Sequence, residues 1–290
     1  ITPTLFRFLG ASEDYLELCT DYMNTILFGT VFILLQSIIN AALNAQGNTT
    51  IFRNVLIMGF LLNVALDPWF MFGGFGVPPM GIKGLALATI VVQLIGGAYL
   101  IFAVTKSKLW QGMDWHGFIP NKKHFAEIAK QGFPASINMM TVALGIFVIT
   151  WFISHFSTAG VAAYGIATRV EQIILLPTIG LNIAVLTLTG QNNGAGQWDR
   201  VKEIWIKSTI YGTIMMLIGG FILFFASTPL MAFFTRDQEV ITIGTDYLKI
   251  AAITLCSYVI LFQTVFMLQG LKRPMYAIWI GLYRQIIAPC

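Results

Sequence analysis

The sequence predicts an all-α membrane protein, a polytopic bundle of about eight transmembrane helices, and three observations support this fold class. First, 57% of the residues are hydrophobic and 10% are charged, with a mean hydropathy of +0.76, whereas about 25% of residues are charged in soluble domains. Second, charge-poor stretches recur that are long enough for helices of about 20 residues to cross a hydrocarbon core roughly 30 Å thick. Third, these stretches are continuously apolar, whereas the strands of a membrane β-barrel alternate over about 10 residues.

The apolar stretches predict eight helices in order along the chain. Their expected ranges are 22–45, 52–75, 84–105, 131–156, 163–190, 205–228, 245–270, and 274 to the end of the sequence. The connections between them are alternately rich and poor in Lys and Arg, as expected if positive charge collects on the cytoplasmic side. The loop 106–130 is the richest, with Lys106, Lys108, Lys122, Lys123 and Lys130. We therefore place this loop in the cytoplasm. The net charge of +4 reflects membrane topology and does not indicate a nucleic-acid partner.

An internal repeat indicates a transporter architecture. Residues 5–47 resemble residues 230–270: the triplet at Thr20 recurs at Thr245, and the Gln-Gly pair at Gln46 recurs at Gln269. Six predicted helices separate the two copies, so both have the same orientation in the membrane, as in transporters built from parallel repeats.

If the basic loop joins two six-helix halves, the chain consists of part of the first half, the loop itself and part of the second half. Residues 1–105 are then the last part of an N-terminal six-helix bundle, 106–130 a cytoplasmic linker, and 131–290 a truncated C-terminal bundle. This arithmetic predicts twelve helices in all, and a chain that is a fragment lacking the first three helices and the last.

Two long motifs resemble signatures of the multidrug and toxic compound extrusion (MATE) transporters. The first is LLNVALDPWFMFGGFGVPPMGIKGLALATIVVQ at 61–93, and the second is GVAAYGIATRVEQIILLPTIGLNIAVLTLTGQNNGAG at 160–196. The resemblance implies two six-helix bundles around a V-shaped cleft. It also implies export of bulky, often cationic amphiphiles, driven by inward flow of protons or sodium through alternating access.

Asp67 is the first candidate site residue, since it carries the only charge between Asn54 and Ile82. A carboxylate at membrane depth costs roughly 2.5–3.5 kcal/mol on insertion scales and indicates a functional site. Asn63, four residues earlier, lies on the same helical face, and Pro68 frees the carbonyl of Val64. These oxygens suit a proton or a hard cation such as sodium. In the DinF-like branch of the family, which this stretch resembles, an Asn and an Asp at this spacing act with a Thr that matches Thr89. The alternative is that Asp67 caps or hydrogen-bonds near a helix end, because Asp-Pro often lies at a boundary.

The other charged residues near predicted helix ends have several interpretations. Asp21 and Asp246 are predicted to cap the starts of the two repeated helices. Arg169 and Glu171 are predicted to hold helices together or to lie at the outer interface, and the alternative is a gating role. The helices that carry a second-half cation site in some members of the family have no carboxylate here, so coupling is expected to rest on the first half.

Two further sets of residues are predicted to pack helices or to contact substrate. Gly84, Gly96 and Gly97 are expected to be close-packing sites between helices. A second set is predicted to line an adaptable drug cavity: Met139, Met140, Phe147, Trp151 and Gln263. The alternative is that about half of these residues face lipid.

The predicted function is a cation-coupled multidrug exporter of amphiphilic organic cations, located in the plasma (inner) membrane as a monomer, with proton or sodium as coupling ion and no cofactor. The alternative is a lipid-linked oligosaccharide flippase of the same superfamily. It would need a strongly cationic cleft, and apart from Arg53 and Lys207 at the ends of their spans, the predicted spans hold only Arg169, Lys249 and Arg284 as strong bases. An enzyme is not predicted, because no paired aspartates, Ser/His pair or metal-spaced His cluster appears at membrane depth.

Overall fold

The computed structural model describes Pro3 and residues 13–74, 76–106 and 121–283, and within this part of the chain it is helical without strands. The helices are α1 (Glu13–Ala45), α2 (Thr50–Phe72), α3 (Ile82–Thr105), α4 (Lys122–Ser154), α5 (Thr158–Gly194), α6 (Trp198–Phe234), α7 (Gln238–Gly270) and α8 (Pro274–Leu282). This confirms the predicted all-α membrane fold and its order of helices. Seven of the described helices, α1 to α7, are long and apolar enough to cross a membrane.

Several helices begin earlier than the apolar pattern predicted. The starts of α1, α4, α6 and α7 precede the expected positions by seven or more residues, because their first turns are polar and the prediction followed hydrophobicity alone. The start of α4 is fixed by Asn121, whose side chain accepts a hydrogen bond from the backbone N–H of Lys123 at 2.9 Å. The last part of the predicted linker 106–130 is therefore helical, while 107–120 lies outside the described residues.

The predicted capping roles of Asp21 and Asp246 are wrong, because both residues lie at least two turns inside their helices. Asp21 instead forms an ion pair with Lys83 on α3, with 2.9 Å between carboxylate oxygen and Nζ, and Asp246 is exposed. The cap of α7 is Asp237, whose carboxylate accepts from the backbone N–H groups of Glu239 at 2.9 Å and Val240 at 3.4 Å.

Replacing Asp237 by Ala is expected to lower stability by about 1 kcal/mol, the usual effect of losing a helix N-cap. The measurement is thermal unfolding of the purified protein in detergent. Asp246→Ala is the matched control, since it removes an exposed carboxylate from the same helix, and it should leave the midpoint unchanged. Equal shifts in the two variants would contradict the capping assignment.

The first of two compact units, Ile1–Ile119, contains α1, α2 and α3. Helices α1 and α3 run in the same direction, since contacts advance together from Gly29 with Ile90 to Gln36 with Gln93. The side chain of Gln36 donates to the backbone carbonyl of Gln93 at 2.5 Å. This bond satisfies an amide that is 7% exposed and fixes the register of the two helices.

Helix α2 is antiparallel to α3 and approaches it closely at glycines. Gly84 lies against the backbone of Phe70, Gly59 against Val92, and Gly96 against Val55. Small residues permit such close approach between membrane helices, so the predicted packing role of Gly84 and Gly96 is confirmed. Beyond α2 the chain folds back: Gly73 has a φ of 80°, and the backbone N–H of Gly81 donates to the carbonyl of Met71 at 3.1 Å.

The second unit, Pro120–Cys290, contains α4 to α8. Its apolar core joins α5, α6 and α7. The fully enclosed side chains there include Met216, Leu223, Met231, Leu248 and Leu255. Helix α6 is antiparallel to both neighbours. Gly212 packs against Val259 of α7, and Gly219 packs against Ile174 of α5. Helices α5 and α7 consequently run parallel and meet along one seam.

Candidate functional site

The first candidate site lies on one stripe of α2. Val55, Gly59, Asn63 and Asp67 follow one another at intervals of four residues, which places them on one helical face. Val55 and Gly59 are buried, while Asn63 and Asp67 are half-buried. One face of α2 therefore carries both the residues packed against α3, Val55 and Gly59, and the Asp67 carboxylate.

Asn63 has an unsatisfied acceptor. Its Oδ1 atom is buried and has no hydrogen-bond partner among the described residues. A buried amide oxygen without a partner costs about 1–3 kcal/mol. This oxygen is therefore available to a bound ion, a water molecule or a protonated carboxyl group.

Thr89 lies at the same level as Asn63 on the neighbouring helix. The contacts of Gly59 with Val92 and of Phe70 with Gly84 bracket this stretch of the antiparallel pair, so Asn63 lies level with Thr89 and Asp67 about one turn further along. The hydroxyl of Thr89 donates to the carbonyl of Leu85 at 3.1 Å, which leaves its oxygen free to accept. The structure thus brings the three predicted residues to one region of the first unit.

The Asp-Pro pair does not itself end the helix, although Asp67 lies five residues before the last residue of α2. Helix α2 continues through Pro68 to Phe72. At 1.5 Å per residue, Asp67 lies roughly 26 Å from the start of the helix. Among the described residues, no group of three or more His, Cys, Asp and Glu could hold a metal ion. Asp67 with two neutral oxygen-bearing neighbours therefore suits a single charge, a proton or a monovalent cation.

Arg169 and Glu171, the second candidate pair, lie in different environments on α5. Arg169 is exposed, whereas Glu171 is 8% exposed and accepts a hydrogen bond from the Tyr247 hydroxyl of α7 at 3.0 Å. The ring of Tyr164 meets that of Tyr247 edge to face, with 5.6 Å between centroids. Glu171 therefore belongs to the α5–α7 seam and Arg169 does not.

A second polar contact on this seam involves Gln263, which was predicted to line a drug cavity. Gln263 is fully buried, and its side-chain nitrogen donates to Asn182 Oδ1 at 2.8 Å. Met139, Met140, Phe147 and Trp151 are instead exposed on α4. The prediction that Gln263 shares a drug cavity with these residues is wrong. Its side chain is enclosed between α5 and α7, where its amide N–H donates to the Asn182 amide oxygen.

Asn182→Leu is expected to lower stability by about 1–3 kcal/mol, because the Gln263 amide then loses its acceptor in an apolar interior. Asn182→Leu combined with Gln263→Leu should recover part of the loss, since both polar groups are then removed. Thermal unfolding in detergent measures both. Additive losses in the double variant would contradict a direct coupling of the two side chains.

Comparison with known proteins places the chain in a family. The MatE family model matches residues 1–69 and 134–288. The chain belongs to the MatE family. This is a family of membrane transporters and not of enzymes, and with its apolar helices the chain is a multi-pass protein of the plasma membrane.

Individual relatives agree with this family. The chain is 27% identical over 269 residues to the probable multidrug resistance protein YoeA of Bacillus subtilis, covering 89% of the chain and 56% of the relative. It is 28% identical over 291 residues to an FAD transporter of Shewanella oneidensis, covering 98% and 63%. An outward-facing structure of a multidrug resistance MATE family transporter matches the fold with a TM-score of 0.89 at 20% identity, covering 98% of this chain and 63% of that one. The chain thus spans between half and two thirds of the length of these proteins.

Proposed function

We propose that this protein exports amphiphilic organic cations by alternating access, in exchange for protons or sodium ions that bind at Asp67. One observation carries the proposal: a half-buried carboxylate in α2 lies one turn from the buried, unpartnered Oδ1 of Asn63 and near the level of Thr89. Asp67 carries the ion, and Asn63 and Thr89 supply neutral oxygens to it.

The physical basis of coupling is the cost of an unneutralised charge. Ionised Asp67 is unfavourable at membrane depth, and binding of a proton or a sodium ion removes that cost. A conformational change that exposes Asp67 to one side of the membrane and then to the other carries the ion across. Coupling follows if the substrate stabilises the state in which Asp67 is empty, because a ligand shifts an equilibrium only by its differential affinity.

The substrate class is proposed from charge. The relatives named above include a probable multidrug resistance protein and an FAD transporter, and FAD carries an anionic diphosphate. A cavity for a diphosphate, or for the pyrophosphate of a lipid-linked oligosaccharide, is expected to contain several Arg or Lys side chains. Apart from Arg53 and Lys207, which lie within three residues of the ends of their spans, the predicted spans contain two described strong bases, Arg169 and Lys249, while Arg284 lies outside the described residues. The acid in α2 and this small number of bases favour cations.

The experiment uses the full-length protein that carries this chain, reconstituted into liposomes. Transport of a fluorescent cationic dye and of FAD is followed under an imposed pH gradient and then under an imposed sodium gradient. We expect dye transport that depends on one of the two gradients, and the effective gradient identifies the ion. Transport of FAD without transport of the dye would contradict the proposed substrate class, and transport of neither would contradict the proposed function.

A further inference from the structure

Glu171 is a buried carboxylate in a membrane helix that coupling at Asp67 does not use. It lies 13 residues after the start of α5, roughly 20 Å along the helix, and is 8% exposed. A carboxylate at such depth indicates a function in transport or proton transfer, in addition to any contribution to packing.

The surroundings of Glu171 suit a proton better than a larger ion. The Tyr247 hydroxyl donates to Glu171 Oε2 at 3.0 Å, and the apolar cluster of the second unit, including Val170 and Leu248, lies immediately beside it. A divalent metal cation needs about six oxygen ligands, and an organic cation needs a cavity. A proton needs neither.

The titratable groups near Glu171 come from two helices. On α5 they are Tyr164 and the exposed Arg169, and on α7 they are Tyr247, Tyr258 and the exposed Asp246 and Lys249. The facing turn of α6, from Gly219 to Leu223, contains no titratable residue. Helix α4 meets α5 near Gly160 and Ile153, three turns before Glu171. The hydroxyl of the half-buried Tyr247, which donates to Glu171, therefore responds directly to the charge of Glu171.

We propose that Glu171 is a second proton-binding carboxylate, located in the C-terminal unit and held by Tyr247, that takes up and releases one proton in each transport cycle. This inference rests on the proposed ion-coupled transport and extends it to a second site. The sequence pattern does not predict this site, because Tyr247 lies 76 residues from Glu171 along the chain.

The proton step involves no other reactant. A hydronium ion from the aqueous phase transfers its proton to a carboxylate oxygen of Glu171, which forms a carboxylic acid and leaves water. The Tyr247 hydroxyl keeps its own proton throughout. It donates a hydrogen bond to Glu171 both when the carboxylate is ionised and when it is protonated. Release of the proton to water on the opposite side of the membrane reverses the step. The charge of Glu171 therefore changes at the contact between α5 and α7.

The test is infrared difference spectroscopy of the full-length protein in lipid during a pH change. Wild type should show a carboxylic acid C=O band that is lost in Glu171→Gln, a variant that keeps the shape and can still accept from Tyr247. Glu239→Gln is the matched control, since it removes an exposed carboxylate at the start of α7, and it should keep the band. Tyr247→Phe should retain the band but shift its frequency and its pH midpoint, which a purely structural role of Glu171 does not predict.

A second readout is the number of protons moved per dye molecule, which should fall in Glu171→Gln and stay unchanged in Glu239→Gln. A spectrum that is identical in wild type and Glu171→Gln would overturn the second site, as would an unchanged proton count. The infrared band does not depend on transport. Absence of ion-coupled transport in wild type would therefore overturn the proposed function, and this failure is distinct from loss of the Glu171 band.

Discussion

Asp67→Asn is expected to abolish ion-driven efflux of a cationic dye, with at least about a tenfold loss of rate, which corresponds to about 1.4 kcal/mol or more. Asparagine has nearly the shape of aspartate but cannot take up a proton or provide a negative charge for sodium. The half-buried position on α2 accommodates a neutral side chain, so insertion and folding should be preserved. Everted membrane vesicles carrying the full-length protein give the efflux rate, and the amount of protein in the membrane is measured in parallel.

Three variants define what this loss means. Asp246→Asn, a matched exposed carboxylate on α7, should transport at the wild-type rate. Asn63→Ala and Thr89→Val should reduce transport partially, since each removes one neutral oxygen and leaves the charge. Undiminished efflux in Asp67→Asn would return Asp67 to a structural role.

Gly84→Ala should have the second largest effect, on both stability and transport. An added Cβ would lie 2.6 Å from the carbonyl carbon of Phe70 and 3.0 Å from the backbone nitrogen of Met71. These are backbone atoms of α2, so the clash is relieved only if the two helices separate. Overpacking of this kind typically costs about 1–3 kcal/mol, and the separation moves Asn63 and Asp67 away from Thr89.

Gly97→Ala is the matched control for Gly84→Ala on the same helix. Its added Cβ would meet Gln36 Cγ at 3.7 Å, an ordinary contact, and alanine favours the helix over glycine by about 1 kcal/mol. We expect a lower unfolding temperature and lower efflux in Gly84→Ala, with neither decrease in Gly97→Ala. Equal behaviour of the two variants would contradict the close packing of α2 against α3 as the support of the site.

The helices were predictable because a membrane span is specified locally, by an apolar run of sufficient length. Local patterns also placed Asn63 and Asp67 on one face, and they identified Gly84 and Gly96 as packing positions. Helix starts were less predictable, because the polar first turns of α1 and α4 carry no hydrophobic signal. For that reason Asp21, predicted to be a cap, lies inside α1 and pairs with Lys83.

Contacts across the second unit could not be predicted from local pattern. Glu171 with Tyr247 and Asn182 with Gln263 join residues 76 and 81 positions apart, and both depend on the register of α5 against α7. The signal available in the sequence was a polar side chain in an apolar run, which identifies each residue as unusual but does not identify its partner. Gln263 was assigned to a drug cavity for this reason.

The most direct test of Asp67 as the coupling residue compares two modes of transport in proteoliposomes. In one, a dye gradient drives movement of the coupling ion in the opposite direction; in the other, labelled dye exchanges for unlabelled dye with no net ion movement. We expect wild type to perform both and Asp67→Asn to perform the exchange without moving the ion. Ion movement in Asp67→Asn at the wild-type ratio to dye would contradict the assignment of Asp67 as the ion carrier.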